Sequence, residues 1–105
     1  MQTAQTIINA NANRMNMIPD KSVALIVTSP PYPMIEMWDE IFIKQNHAIA
    51  DDLQNNPYEA FNKMHKILDE VWKECERVLI DGGFACINIG DATRTFNDKF
   101  QLFSN

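Results

Sequence analysis

Glycine is scarce in this sequence: Gly82, Gly83 and Gly90 are the only three among 105 residues, so most turns must rest on the five prolines and the frequent asparagines. Cysteine is scarcer still. Cys75 and Cys86 lack the C-x-x-C spacing of zinc or thioredoxin-like sites, and two cysteines exclude a disulfide-dense scaffold. A reducing cytoplasm is the expected compartment, with both thiols as small buried hydrophobes. Basic residues are also short. Nine Lys and Arg against fourteen Asp and Glu leave a net charge of -5, so the chain as a whole does not attract a phosphate backbone. Any grip on nucleic acid must come mostly from elsewhere. No apolar run approaches the roughly 18 residues of a bilayer span, and the opening MQTAQTIINANANR has no basic region followed by an apolar one. The expectation is a soluble chain with no secretory signal and no membrane partner. What is present, 46% hydrophobic and 10% aromatic residues, suffices for one small core, and the length allows one domain rather than two.

Residues 5–9 (QTIIN) are a short strand candidate, ANRMNMI follows with Met15 and Ile18 at helical spacing, and Pro19-Asp20-Lys21-Ser22 reads as a turn. VALIVT, residues 23–28, predicts a buried strand that stops at Ser29-Pro30-Pro31, where proline removes a backbone donor and restricts its predecessor. Beyond Tyr32-Pro33, the spacing of Met34, Trp38, Ile41 and Phe42 predicts a short amphipathic helix, and the polar NHAIADDLQNN is expected to be irregular. The clearest helix has Asn56 as N-cap, Pro57 at its first position and Glu59 where a capping-box carboxylate would reach back. Phe61, Met64, Leu68, Val71, Cys75 and Val78 then recur by three and four as a core stripe, and Gly82-Gly83 supply the helix end. FACINI predicts a second buried strand, followed by Gly90-Asp91. Strand, long helix, strand over residues 23–91 means a right-handed βαβ crossover and therefore an α/β fold with a parallel sheet. His47 in the polar linker and His65 beside the stripe are expected at the surface or half-buried, and no metal site is expected.

In an open parallel sheet, ligands bind outside the carboxyl ends of the strands. Ser29-Pro30-Pro31-Tyr32 and Asn88-Ile89-Gly90-Asp91 follow two such ends and should share one crevice. The first offers a hydroxyl, a Pro30 carbonyl fixed in direction by two locked φ angles, and an aromatic face. That set suits a planar group bearing an NH2. An amine on a base is a poor nucleophile because its lone pair is delocalised into the ring. Two acceptors drawing on its hydrogens let the nitrogen pyramidalise as it attacks an electrophile. Tyr32 would hold a flipped base by stacking, and no nucleophilic side chain is required. The plainer alternative is a proline-rich surface turn or a short polyproline II segment for a partner.

TSPPY behind an apolar strand resembles motif IV of the DNA amino-methyltransferases. Its serine is similar to the cytosine-N4 branch, Asp or Asn being usual in that place among adenine-N6 enzymes. The likeness runs from about Ile18 to Arg94. IPDKSVALIVTSPPYPMIEMWDEIF and RVLIDGGFACINIGDATR resemble the motif IV and V regions of type II restriction-modification methylases whose catalytic motif comes first. The resemblance implies a partial Rossmann-like fold that uses S-adenosyl-L-methionine, and double-stranded DNA with a flipped target base as partner. It assigns Ser29 and the Pro30 carbonyl to the target amine, Tyr32 to stacking, and Pro31 to rigidity of the loop, residues 28–33. Such enzymes often carry Gly-Asp after the first strand, the acid facing the cofactor. Ala10-Asn11 stands there instead, which makes Asn11 the candidate contact. Asp91 either lines the cofactor pocket or caps the next turn. The late Phe-x-Gly-x-Gly loop of these enzymes has no counterpart, so residues 1–105 look like the leading third of a methylase catalytic domain. Such a piece is expected to be inactive without a complementary C-terminal polypeptide or continuation. The alternatives are an adenine-N6 relative and an inactive binding or regulatory module that pairs with a full-length methylase. Cys86, inside a strand with no Pro-Cys loop, is expected to be buried and to take no covalent part.

Overall fold

The computed structural model describes all residues, 1–105. In chain order it contains β1 (Val23–Thr28), a 3-10 turn (Glu36–Trp38), α1 (Asp39–Gln45), α2 (Ala48–Asn55), α3 (Pro57–Val78), β2 (Leu79–Ile87), β3 (Ala92–Phe96) and β4 (Lys99–Phe103). β1 and β2 pair in parallel, with the helices carrying the chain between them, and β3 and β4 form an antiparallel hairpin. The expected α/β arrangement is present, as two separate two-stranded sheets. No helix is long and apolar enough to cross a membrane.

α3 buries Ala60, Met64, Leu68, Cys75 and Val78, the three-and-four stripe of an amphipathic helix. Pro57 takes the first position, where its missing N–H costs nothing. The capping box does not form: the Asn56 side chain makes no cap bond, and its carbonyl instead accepts the N–H groups of Glu59 and Ala60 at 3.0 and 3.2 Å. Nor does Gly82-Gly83 end the helix. Lys21 and Ser22 donate their N–H groups to the carbonyls of Arg77 and Val78 at 2.9 and 2.8 Å, and Leu79 passes directly into the ladder opposite Val23. The register then slips, since Leu25 pairs with Phe84. Residues 80–83 therefore bulge, and Gly82 supplies the φ of 76° that the bulge needs.

The main core lies where α1, α2 and α3 meet the hairpin: Met34, Phe42, Ile49, Leu53, Ala60, Met64, Leu68, Ala92 and Phe103 are all buried. The segment NHAIADDLQNN is helical rather than irregular, because Ile49 and Leu53, one turn apart, dock its single apolar edge on that core. The hairpin turns through Asn97 and Asp98 at φ of 49° and 63°, the two left-handed residues of a type I′ turn. Phe103 at its end lies 5.6, 5.4 and 6.1 Å from the rings of Tyr58, Phe61 and Phe96. Arg94 on β3 grips Asp39 on α1 through both carboxylate oxygens at 2.8 and 2.7 Å, which raises the Arg94 pKa and ties hairpin to helix.

Residues 5–9 form no strand. They lie beside no pairing partner, and Ile7 is 98% exposed. ANRMNMI forms two turns, Arg14 N–H to Asn11 O at 3.3 Å and Ile18 N–H to Met15 O at 3.0 Å, and no helix. Side chains of α3 compete for its backbone: Glu74 accepts the Met15 N–H at 2.6 Å, while Arg77 donates to the Met15 and Ile18 carbonyls at 2.9 Å each. Hydrogen bonds from Arg77, then from the Met15 N–H, hold the Glu74 carboxyl down at about 2, against an ordinary value of 4.5. A depressed carboxylate stabilises the fold fully above its unfolded value and loses that contribution as pH falls through the folded one. The denaturant midpoint should therefore drop between about pH 4.5 and pH 2, and Glu74→Gln should flatten that part of the profile. An unchanged profile in the variant would show that the clamp contributes nothing.

The strands β1 and β2 are not buried on both faces as expected. Leu25, Val27 and Phe84 are 55%, 74% and 72% exposed, and Cys86, on the same face as Phe84, is exposed and not buried. No element of the chain packs on that face. On the other, Ile26 and Thr28 meet Val71, Cys75 and Val78 around an apolar recess of about 160 Å³. Burial there pushes the Cys75 thiol up.

Candidate functional site

Thr28 and Ile87 are ladder partners, and Asn88 donates its N–H to the Thr28 carbonyl at 2.9 Å. The two chains thus leave the sheet side by side at its carboxyl edge. Tyr32 and Gly90 come together there, so closely that a Cβ on Gly90 would sit 3.3 Å from Tyr32 Cε2. The absence of a side chain at position 90 is what lets the ring lie against the backbone. Ser29, Pro30, Pro31 and Tyr32 are therefore brought to one edge with Gly90 and Asp91, as the strand order predicts.

The loop is closed by a turn that the sequence pattern does not single out. Ile35 donates its N–H to the Tyr32 carbonyl at 3.2 Å, with Pro33 in the second place and Met34 in the third at a φ of 69°. The third place of a type II turn favours glycine. Met34 holds it because its side chain is buried in the main core and its N–H meets Met64 Sδ at 3.4 Å. A left-handed non-glycine residue costs on the order of 1–3 kcal/mol, sustained here by that burial. Pro33 at the turn's second place was the available signal.

The polar groups of the loop divide into spent and unspent. The Thr28, Tyr32 and Pro33 carbonyls accept from Asn88, Ile35 and the Asn105 side chain, whereas no N–H or side chain of the protein donates to the carbonyls of Ser29, Pro30 or Pro31. Ser29 is exposed, and its Oγ stands 3.5 Å from the Tyr32 hydroxyl, too long to be a strong bond. The edge thus presents a free hydroxyl, a free carbonyl on a stiff proline pair and a half-buried aromatic ring. Those groups can accept the two hydrogens of an amine and stack on the ring that bears it.

The two candidate cofactor residues do not converge. Asn11 accepts the Asn13 N–H through its Oδ1 at 3.0 Å and borders grooves shared with Arg14, Lys63 and Lys66. Asp91 is exposed and accepts the Asn105 N–H at 3.0 Å, a tie to the end of the hairpin and not a cap of the turn that follows it. The grooves that Asn11 borders do not include Asp91. No group of three His, Cys, Asp or Glu side chains is placed to hold a metal, His65 being engaged with Asn105 at 2.9 Å.

Comparison with known proteins bears on this edge directly. A family model described as DNA methylase matches residues 23–103, from the start of β1 to the end of the hairpin. The Type II methyltransferase M.MjaI of Methanocaldococcus jannaschii is 49% identical over 98% of this chain and 38% of its own length. The Type II methyltransferase M.MthZI of Methanothermobacter thermautotrophicus is 46% identical over 100% of this chain and 30% of its own length. The chain therefore spans only those shares, 38% and 30%, of the curated relatives it matches. No solved structure matches it. With its match running through the TSPPY loop and the strands that frame it, the chain belongs to the N6/N4 DNA methylase family.

Proposed function

We propose that this chain is the base-holding part of an S-adenosyl-L-methionine-dependent DNA methyltransferase that modifies the N4 amine of cytosine, in the cytoplasm, within a restriction-modification system. The observation that carries the reading is the pair of unspent acceptors, Ser29 Oγ and the Pro30 carbonyl, beside the Tyr32 ring at the carboxyl edge of β1. A flipped base stacked on Tyr32 would present its amine to both acceptors. Drawing on its hydrogens raises the nitrogen's nucleophilicity without a covalent enzyme intermediate. Pro31 keeps the Pro30 carbonyl aimed. The serine at position 29 is what favours cytosine over adenine.

Cofactor and DNA recognition are assigned to a complementary C-terminal polypeptide or continuation, which also completes a Rossmann-like sheet over the exposed face of β1 and β2. Two observations support this division: the grooves that Asn11 borders do not include Asp91, and Leu25, Val27 and Phe84 stand open. The net charge of -5 likewise leaves the phosphate grip to the other part.

The test is transfer of labelled methyl groups to double-stranded DNA by this chain, with and without such a complementing polypeptide, followed by nucleoside analysis. N4-methylcytosine, formed only in the complemented mixture, is the expected product. N6-methyladenine would overturn the cytosine assignment and keep the loop's role. Binding to the complementing chain without any methylated product would instead identify a regulatory module.

A further inference from the structure

We infer that Asn105 is a positioning residue that sets the spacing between the base-holding loop and the Gly90–Asp91 segment, with His65 fixing the orientation of its amide. The inference rests on the methylase reading. Asn105 Nδ2 lies 2.9 Å from the Pro33 carbonyl and 2.8 Å from the Gly90 carbonyl, so one amide bridges the two segments that leave the sheet edge. Its backbone N–H adds a third tie, to Asp91 Oδ1 at 3.0 Å.

The chemistry of the partners fixes every role. Carbonyls only accept, so both hydrogens of the amide nitrogen are committed, and a flipped amide would set its oxygen against two others. Oδ1 therefore faces His65 Nε2 at 2.9 Å, and that nitrogen must carry the hydrogen. The Phe61 ring, edge-on at 4.6 Å, holds the imidazole in place on α3. The chain of contact is thus α3 to His65, His65 to Asn105, and Asn105 to both walls of the crevice. Below it the walls are tied by the Asn88–Thr28 bond at the strand ends and beyond it by Met34 and Ala92 in the shared core, while Tyr32 meets Gly90 by packing alone. Without the bridge, the Pro30 carbonyl and the Ser29 hydroxyl lose their fixed distance from whatever the opposite wall supports. Displacement of about 1 Å at a reacting centre costs on the order of a hundred-fold in rate.

Two measurements test this. In the complemented methylase, Asn105→Asp should lower single-turnover methyl transfer ten- to a hundred-fold with DNA affinity changed less than two-fold. His65→Gln, which keeps a donor for Oδ1, should retain most of the rate, and His65→Leu should match Asn105→Asp. A wild-type rate in Asn105→Asp, or equal rates in the two His65 variants, would overturn the positioning role. Long-range nitrogen–proton NMR on the chain by itself, in mildly alkaline buffer, should show the His65 hydrogen on Nε2 and slow exchange of the Asn105 amide protons. A hydrogen on Nδ1, or freely exchanging amide protons, would overturn the bridge whatever the enzyme does. Absence of transfer by the complemented wild type would sink the methylase reading alone, and the NMR result would still decide the bridge.

Discussion

Ser29→Ala in the complemented methylase should lose about a hundred-fold or more in the single-turnover rate, with little change in DNA capture. On the proposed reading the serine hydroxyl is one of two acceptors for the amine as its charge develops, and deleting one preorganised polar group of that kind costs about 10²–10³ in other enzymes. Its exposure means that the change leaves no cavity and no orphaned partner, so the folded state should be unaffected. Tyr32→Ala should behave differently. It removes a stacking platform worth roughly 1–3 kcal/mol per base, so capture of the base and the rate fall together. It also removes the ring that lies on Gly90. Tyr32→Phe separates the contributions: the ring stays, and the 3.5 Å contact with Ser29 Oγ is too long for its loss to matter much. Full activity in Ser29→Ala and Tyr32→Ala would refute the site.

Phe42→Ala should cost about 3–5 kcal/mol of folding stability, the usual range for emptying a buried phenylalanine site. Phe42 is fully buried in the nine-residue main core of a chain in which only 12 of 105 residues are buried at all. A small domain has about 5–15 kcal/mol in total, so this one change should remove a large fraction of it. Trp38 and Trp72 both pack against the core and report its integrity by fluorescence during denaturant titration. A loss below about 1 kcal/mol would mean that the helices and hairpin are held by something other than this cluster.

Much of this architecture is legible in the sequence wherever a local pattern decides it. β1 ends at Thr28 because two prolines follow, and α3 is announced by Pro57 and a stripe that runs to Val78. The meeting of the Ser29–Tyr32 loop with Gly90 follows from parallel pairing alone. What escapes is set by neighbours distant in sequence. α2 has only two buried residues, too few to declare a helix without the surface they dock on. ANRMNMI has helical spacing, but Glu74 and Arg77 take the backbone groups that a helix would need. Cys86 sits in an apolar run and is nonetheless exposed, since apolar character shows that a face is meant to be covered and not what covers it. The left-handed Met34 and the bridging Asn105 are invisible for the same reason: each depends on a partner from another part of the chain.

The parallel pairing of β1 with β2 also dictates the order of assembly. α3 and the β3–β4 hairpin are made of contacts between residues near in sequence, which form early and at small entropic cost. Thr28 meets Ile87 only after the entire helical run has been laid down between them, a loop closure far longer than any within α3 or the hairpin. Pulse-labelled hydrogen exchange should accordingly protect α3 before the amides of β1 and β2. The crevice proposed to hold the base lies at the seam of that closure, so most of the molecule must be folded before this edge exists.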